Sequence, residues 1–251
     1  MHLIDVPLEQ LAGLRHRLNP TSLFEALIRT RTLSSNRGGP SGTGRPVQQN
    51  SVARELNATI ASSREELRAA GDLVMRRYAW RGYMVDACTL DAPAPGEARN
   101  SAITLIASDA AGETVGTLTL GLDGPEGLLV DEVYGPELDA IRAAGRRVCE
   151  LTRLAVDTGA DSKMVLAALF SLAFLLGRVL HRATDVFIEV NPRHVAFYER
   201  ALGFVVTAGE RICERVKAPS VLLRLEADKL EARLREYGFG GIDDCLDATR
   251  A

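Results

Sequence analysis

Glu150 and Arg153 stand three residues apart in the run Val148–Val156. A carboxylate and a guanidinium at this spacing can form an ion pair. They can also serve one site, the acid ordering a proton and the guanidinium holding an anion. On a regular strand, residues three apart face opposite sides of the sheet. A shared site therefore requires this strand to bulge or bend. Without a bend, the pair reads as a surface salt bridge or two unrelated strand-end charges. Tyr198 is the second residue of interest. It sits mid-helix in Asn191-Pro-Arg-His-Val-Ala-Phe-Tyr-Glu-Arg-Ala-Leu-Gly-Phe204, where Asn191 is the N-cap, Pro192 the first helical residue and Gly203 the stop. A capped helix docking on a sheet explains Asn191, Pro192 and Gly203 without chemistry, and Tyr is a common half-buried packing residue.

Other chemistries find little support. Cys88, Cys149, Cys213 and Cys245 lie far apart, with no His at zinc-ligand spacing, so no metal site is expected. Free thiols in a reducing cytoplasm are the expectation. No glycine-rich nucleotide fingerprint is present. The net charge of −3 argues against a general nucleic-acid binder. The most apolar stretch, Met164–Leu176, is shorter than the roughly 20 residues that span a bilayer and reads as a buried helix. The N-terminus shows no evident signal peptide, and a cytoplasmic location is expected.

The elements that must position these residues follow from periodicity. Of the 251 residues, the first 50 carry two short helical patterns, over 3–18 and 22–31. A Gly-, Ser- and Pro-rich linker follows, Ser34–Pro46. This appendage is a tail or a docking element. The main domain, 51–227, opens with a helix from Ser63 to Gly82. Strands are expected over 102–108 and 113–122. In the second of these, Thr117 and Thr119 point one way while Leu118, Leu120 and Leu122 point the other. A short helix over 135–144 leads to the strand 148–156. The apolar helix runs from about Asp161 to His181, followed by a strand over 185–190, the helix of Tyr198 and a strand over 220–225. A charged helix, 228–237, begins the C-terminal segment 228–251. The order predicts an α/β (α+β) domain with a mixed central sheet covered by helices.

The Asn191–Phe204 segment resembles the last helix of the GNAT acyltransferases. The segment Leu128–Val156, with its Glu150-x-x-Arg153 core, is more specific: it resembles the central segment of the N-acyl amino acid synthases, relatives of the acyl-homoserine-lactone synthases. Arg76-Arg-Tyr-Ala-Trp-Arg-Gly-Tyr83 resembles the first helix of that family and its exit. Together the matches cover roughly 63–225. The resemblance implies a GNAT-like sheet with a bulge in the strand of Glu150, and attack by an amine on a thioester. Glu150 would order or deprotonate the amine, and Arg153 would anchor an acceptor carboxylate or hold Glu150. Backbone amides at Leu154, Ala155 and Val156 would face the thioester carbonyl and the pantetheine arm. Tyr198 would protonate the leaving thiolate, Tyr78 and Tyr83 would lie near an acyl or acceptor pocket, and Asn191 would cap its helix or contact the substrate. Trp80 belongs either to that pocket or to the core.

The donor is read from one loop. Coenzyme A-dependent GNAT enzymes cradle a pyrophosphate in a glycine-rich loop at a helix N-terminus. Here that loop is Asp157-Thr-Gly-Ala-Asp-Ser-Lys163, with one glycine and two carboxylates, unfavourable beside a pyrophosphate. An acyl carrier protein presents a single-phosphate pantetheine arm and is the expected donor, with no bound cofactor. Arg142, Arg146, Arg147, Arg178 and Arg182 offer docking charge for such an acidic partner, or form ordinary solvated faces. Leu169, Phe170 and Phe174 border an acyl tunnel or only fill the core. The expected reaction is transfer of a long-chain acyl group to an amino acid or similar small amine. The competing readings are a coenzyme A-dependent acetyltransferase and a GNAT-like domain that binds an acyl carrier or an acyl ligand without catalysis.

Overall fold

The computed structural model describes residues 56–83 and 101–230. The helices expected over 3–18 and 22–31, the linker, and all but the start of the helix over 228–237 lie outside the described residues. The elements are β1 (Asn57–Ile60), α1 (Arg64–Trp80), β2 (Ser101–Ser108), β3 (Thr114–Leu122), α2 (Asp131–Ala143), β4 (Val148–Val156), α3 (Ser162–Phe174), β5 (Asp185–Val190), α4 (Val195–Leu202), β6 (Val205–Cys213) and β7 (Ala218–Glu226). The strands form one seven-stranded sheet in the order β1-β2-β3-β4-β5-β7-β6. Among the described strands, only β4 and β5 pair in parallel. β4 and β5 fall where the sequence predicts them, while β1 and β6 go unpredicted.

Local chemistry explains the element ends. Ser63 accepts from the Glu66 amide at 3.1 Å, and Glu66 accepts from the amides of Ser62 and Ser63 at 2.7 and 2.9 Å. This capping box is worth about 1 kcal/mol. α2 begins at Asp131, earlier than expected, and kinks at Tyr134, ahead of Pro136. α3 passes into a π-helical segment, Leu175–Leu180, instead of continuing as an α-helix to His181. Asn191 accepts from the Arg193 amide at 3.3 Å and donates to the Pro219 carbonyl at 3.2 Å, so it caps the 3-10 turn Pro192–His194 that leads into α4, not α4 itself, and ties that turn to β7.

Helices cover both faces of the sheet. On one face, Leu118, Leu120, Cys149, Leu151 and Ile188 pack with Val165 and Leu169 of α3. On the other, α1 packs Leu73 and Val74 on Ala155, and Tyr134 and Leu138 of α2 pack on Val148 and Phe187. The alternation read along β3 matches this division: Leu118 and Leu120 face α3, whereas Thr117 and Thr119 line a hollow with Leu67, Ala70 and Val74 of α1.

Candidate active site

β4 carries the expected irregularity. Thr117 of β3 pairs with Ala155, and Thr119 pairs with Thr152, so Arg153 and Leu154 together oppose one residue. Arg153 takes the left-handed conformation, φ 52°, which is unfavourable by about 1–2 kcal/mol for a non-glycine residue. The bulge resets the alternation. Val148 before it and Ala155 after it both face the helices α1 and α2, while Cys149, Leu151, Leu154 and Val156 pack toward α3. Glu150 thus shares a face with Arg153, which lines the hollow beneath α1.

The same strand also parts from its neighbour. β4 pairs with β5 only at Val148–Asp185, Cys149–Val186 and Glu150–Phe187. Both strands continue, but past Glu150 no β5 residue pairs with Leu151 to Val156. The sheet opens at that point, beside the backbone of Leu154, Ala155 and Val156.

Glu150 is 3% exposed. Its two carboxylate oxygens accept from the backbone amides of Leu129 and Val130 at 3.0 and 2.9 Å. Each oxygen keeps a second lone pair. Burial raises its pKa above the ordinary carboxyl value, against those two hydrogen bonds and the charge of Arg215. The loop presenting these amides is pinned by Asp131, which accepts from the Leu128 amide and from Arg142, both at 2.7 Å.

The tyrosines gather around Tyr78, which also feels the charge of Arg153. Tyr78 and Tyr83 meet edge to face at 5.7 Å between ring centres. Burial pushes the Tyr78 phenol upward; the nearby Tyr198 and Tyr83 phenols add to this and the Arg153 guanidinium opposes it. Burial raises Tyr198 to about 12, so it stays a protonated donor at neutral pH. Tyr83 accepts from Arg193 at 2.6 Å, and Arg81 lies 3.3 Å from His194, which fastens the exit of α1 to the start of the Tyr198 helix. Trp80 is neither core nor pocket. It is exposed, with Arg77 and Arg81 over its ring at 5.0 and 5.4 Å.

An apolar pocket lies on the α3 face below the parting of β4 and β5. Leu151, Phe170, Phe174, Gly177, Val186 and Phe204 contribute to its wall, and its free volume is about 50 Å³. Leu169 is buried in the core and does not line it. At the other end of the opening, Asp161 accepts from the amides of Lys163 and Met164 at 3.0 and 3.4 Å. Two amides of the first turn of α3 are thereby occupied by the protein's own carboxylate. Among the five arginines named above, Arg142, Arg146 and Arg178 are committed to ion pairs with Asp131, Asp185 and Asp228.

Sequence reasoning missed Glu189 and Arg215. Glu189 lies on β5 and pairs closely with Arg215, which also donates to Glu132 at 2.6 Å. A signal existed: Asp185 and Glu189 are acids at even spacing in the otherwise apolar run Asp-Val-Phe-Ile-Glu-Val, which puts both on one face.

The chain is similar to one protein family and to several solved structures. The family described as N-acyl amino acid synthase FeeM matches residues 69–226. The solved structure of FeeM, an N-acyl amino acid synthase from uncultured soil microbes, aligns with 26% identity and a TM-score of 0.64, covering 73% of this chain and 96% of that one. An acyl-CoA N-acyltransferase from Pseudomonas aeruginosa aligns at 16% identity and TM-score 0.46, covering 68% of this chain and 99% of that one. Escherichia coli ElaA aligns at 12% and 0.49, covering 69% and 99%. No curated protein matches the chain. Among the described residues, no helix is long and apolar enough to cross a membrane.

Proposed function

The chain belongs to the family of the N-acyl amino acid synthase FeeM and is an acyltransferase of GNAT fold, and on that premise we propose that it moves an acyl group from an acyl carrier protein thioester to the amine of an amino acid or similar small amine. The observation that carries this reading is the bulge at Arg153, which sets Glu150 and Arg153 on one face beside the opening between β4 and β5.

In this reading the acceptor enters on the face of α1 and α2. Arg153 binds its carboxylate, as a guanidinium suits that planar anion. The attacking nitrogen must be neutral, and Glu150 takes its proton, directly or through a water. A carboxyl whose pKa burial has raised is a better base near neutral pH than an ordinary one. The amine nitrogen bonds to the thioester carbon while amides of Leu154, Ala155 and Val156 polarise the carbonyl. The carbon–sulfur bond breaks, Tyr198 protonates the departing thiolate, and the second proton, which the nitrogen sheds as the amide forms, returns to Tyr198. The products are an amide and a free pantetheine thiol. Tyr78 and Tyr83 border the acceptor. We assign this unit to residues 51–227.

Asp161 supports the carrier-protein donor, since its carboxylate fills the α3 N-terminus that a coenzyme A pyrophosphate would need. The pocket beneath Leu151 and Phe174 takes the acyl chain. Its small free volume is the one observation favouring the competing reading, short-chain transfer from coenzyme A. A long chain requires Phe170 and Phe174 to turn aside. Mass spectrometry of lipid extracts from a bacterium overexpressing the protein tests the proposal. New N-acyl amino acids are expected, and a lipid profile identical to that of the Glu150→Gln strain would refute it.

A further inference from the structure

We propose that Glu189 is a second acceptor-side carboxylate, holding the ammonium group of the incoming amino acid through its Oε1 atom. The inference rests on the acceptor reading above and adds a residue and a role to it.

Three observations converge on Glu189. The first is position. Phe187, its neighbour two residues earlier, packs with Val130 and Tyr134 on the α2 face, so Glu189 faces the same way. Glu150–Phe187 is the last pair between β4 and β5. Glu189 therefore stands two residues into the opening, on the face of Glu150 and Arg153. The second is burial with an unmet bond. The Glu189 side chain is 8% exposed. Oε2 pairs with Arg215, Oε1 makes no hydrogen bond of ordinary geometry, and the Cys213 thiol lies beside the carboxylate. A buried carboxylate oxygen without a partner is costly, and such atoms are regularly found where a ligand or water completes the set.

The third is the way the two acids are tied together. The Leu129 amide donates to Glu150 at 3.0 Å, and the Leu129 carbonyl accepts from Arg215 at 2.6 Å. Arg215 in turn holds Glu189. One residue thus fixes both carboxylates, and the charge of Arg215 is felt by Glu150 and by Arg153. The ion pair accounts for Oε2, and beyond it the protein offers the carboxylate only the weak thiol donor of Cys213. An amino acid zwitterion accounts for both charges of the site: its carboxylate goes to Arg153 and its ammonium to Glu189. Glu150 then removes a proton from a nitrogen that is already placed.

The test separates the ammonium from the rest of the ligand. Phenylalanine suits the aromatic surroundings of Tyr78, Tyr83 and Tyr198, and 3-phenylpropionate is the same molecule without its ammonium. Binding of each to the full chain is measured by calorimetry for the wild type, Glu189→Gln and Glu189→Asp. Glu189→Asp keeps a charge for Arg215 and guards against simple misfolding, which thermal melting monitors. The wild type is expected to prefer phenylalanine. Glu189→Gln should lose at least about tenfold in phenylalanine affinity with 3-phenylpropionate unchanged, and Glu189→Asp should fall between. Equal losses for both ligands, or no loss for phenylalanine, would overturn the assignment, as would a wild type that fails to bind phenylalanine. Transfer is assayed in parallel. A wild type that binds phenylalanine ammonium-dependently but acylates no amine defeats the functional reading alone, and one that acylates amines equally well with Glu189→Gln defeats the Glu189 assignment alone.

Discussion

Glu150 lies directly across β4–β3 from Gly121, and the glycine makes its conformation possible. A Cβ at position 121 would fall 2.7 Å from the Glu150 Cγ and 2.8 Å from its Oε1. The carboxylate reaches the amides of Leu129 and Val130 over a strand position that has no side chain.

Gly121→Ala is therefore expected to act on Glu150 first, because Gly121 is not among the positive-φ glycines and its backbone suits alanine. The Glu150 side chain must shift and give up one or both of its backbone hydrogen bonds. Transfer rate should fall at least about tenfold, with a stability loss of roughly 1–3 kcal/mol for the amides left unpaired. Kinetics with denaturant unfolding measure both. Full activity in Gly121→Ala would show that the placement of Glu150 is dispensable.

Arg153 joins strain to function. Arg153→Ala and Arg153→Gly both remove the guanidinium, so both should raise the acceptor KM. Only glycine relieves the left-handed backbone, so Arg153→Gly should be the more stable of the two by about 1–2 kcal/mol. Equal stability of the two variants would mean that the bulge imposes no strain.

The pH profile has opposite slopes for rate and stability. The Glu150 pKa is raised in the folded chain. Its contribution to stability is therefore fully present below the unfolded carboxyl value and is lost as pH rises through the folded value. The base form appears over that same rise, so kcat/KM should climb while stability declines. Glu150→Gln should flatten both slopes. A pH–rate limb that survives in Glu150→Gln would assign the titration to another group.

The sequence shows these relationships unevenly. The β3 alternation of Thr117 and Thr119 against Leu118 and Leu120 is legible because a buried strand between two helical layers sorts its residues by face. The capped Tyr198 helix is legible because capping is local. β6 escapes notice because it is an edge strand: Thr207, Glu210 and Arg211 are exposed, so little forces a period on it. β1 is too short, at four residues, to show one. Glu189 escapes because its importance comes from Arg215 and Leu129, both distant in sequence. The bulge came from family resemblance, since spacing alone sets Glu150 and Arg153 on opposite faces.

Gly177 tests the acyl pocket. It lies in the π-helical segment, and an added Cβ would meet Cys149 Sγ and Leu120 at 3.6 Å, ordinary contact distance. Gly177→Ala should fold normally and narrow the pocket. The preferred acyl chain should shorten by two carbons or more in competition assays with mixed donors. An unchanged chain-length profile would move the acyl site elsewhere.

The reaction proposed is amide formation between a carrier-bound acyl group and an amino acid. It is tested most directly with purified protein, matched acyl-carrier-protein and acyl-coenzyme A thioesters, and a mixture of the twenty standard amino acids, with products read by mass spectrometry. An N-acyl amino acid is expected from the carrier-bound donor, formed at least about tenfold faster than from coenzyme A, lost in Glu150→Gln and slowed at low acceptor concentration in Arg153→Gln. Faster transfer from acyl-coenzyme A, or no N-acyl amino acid from either donor, would contradict it.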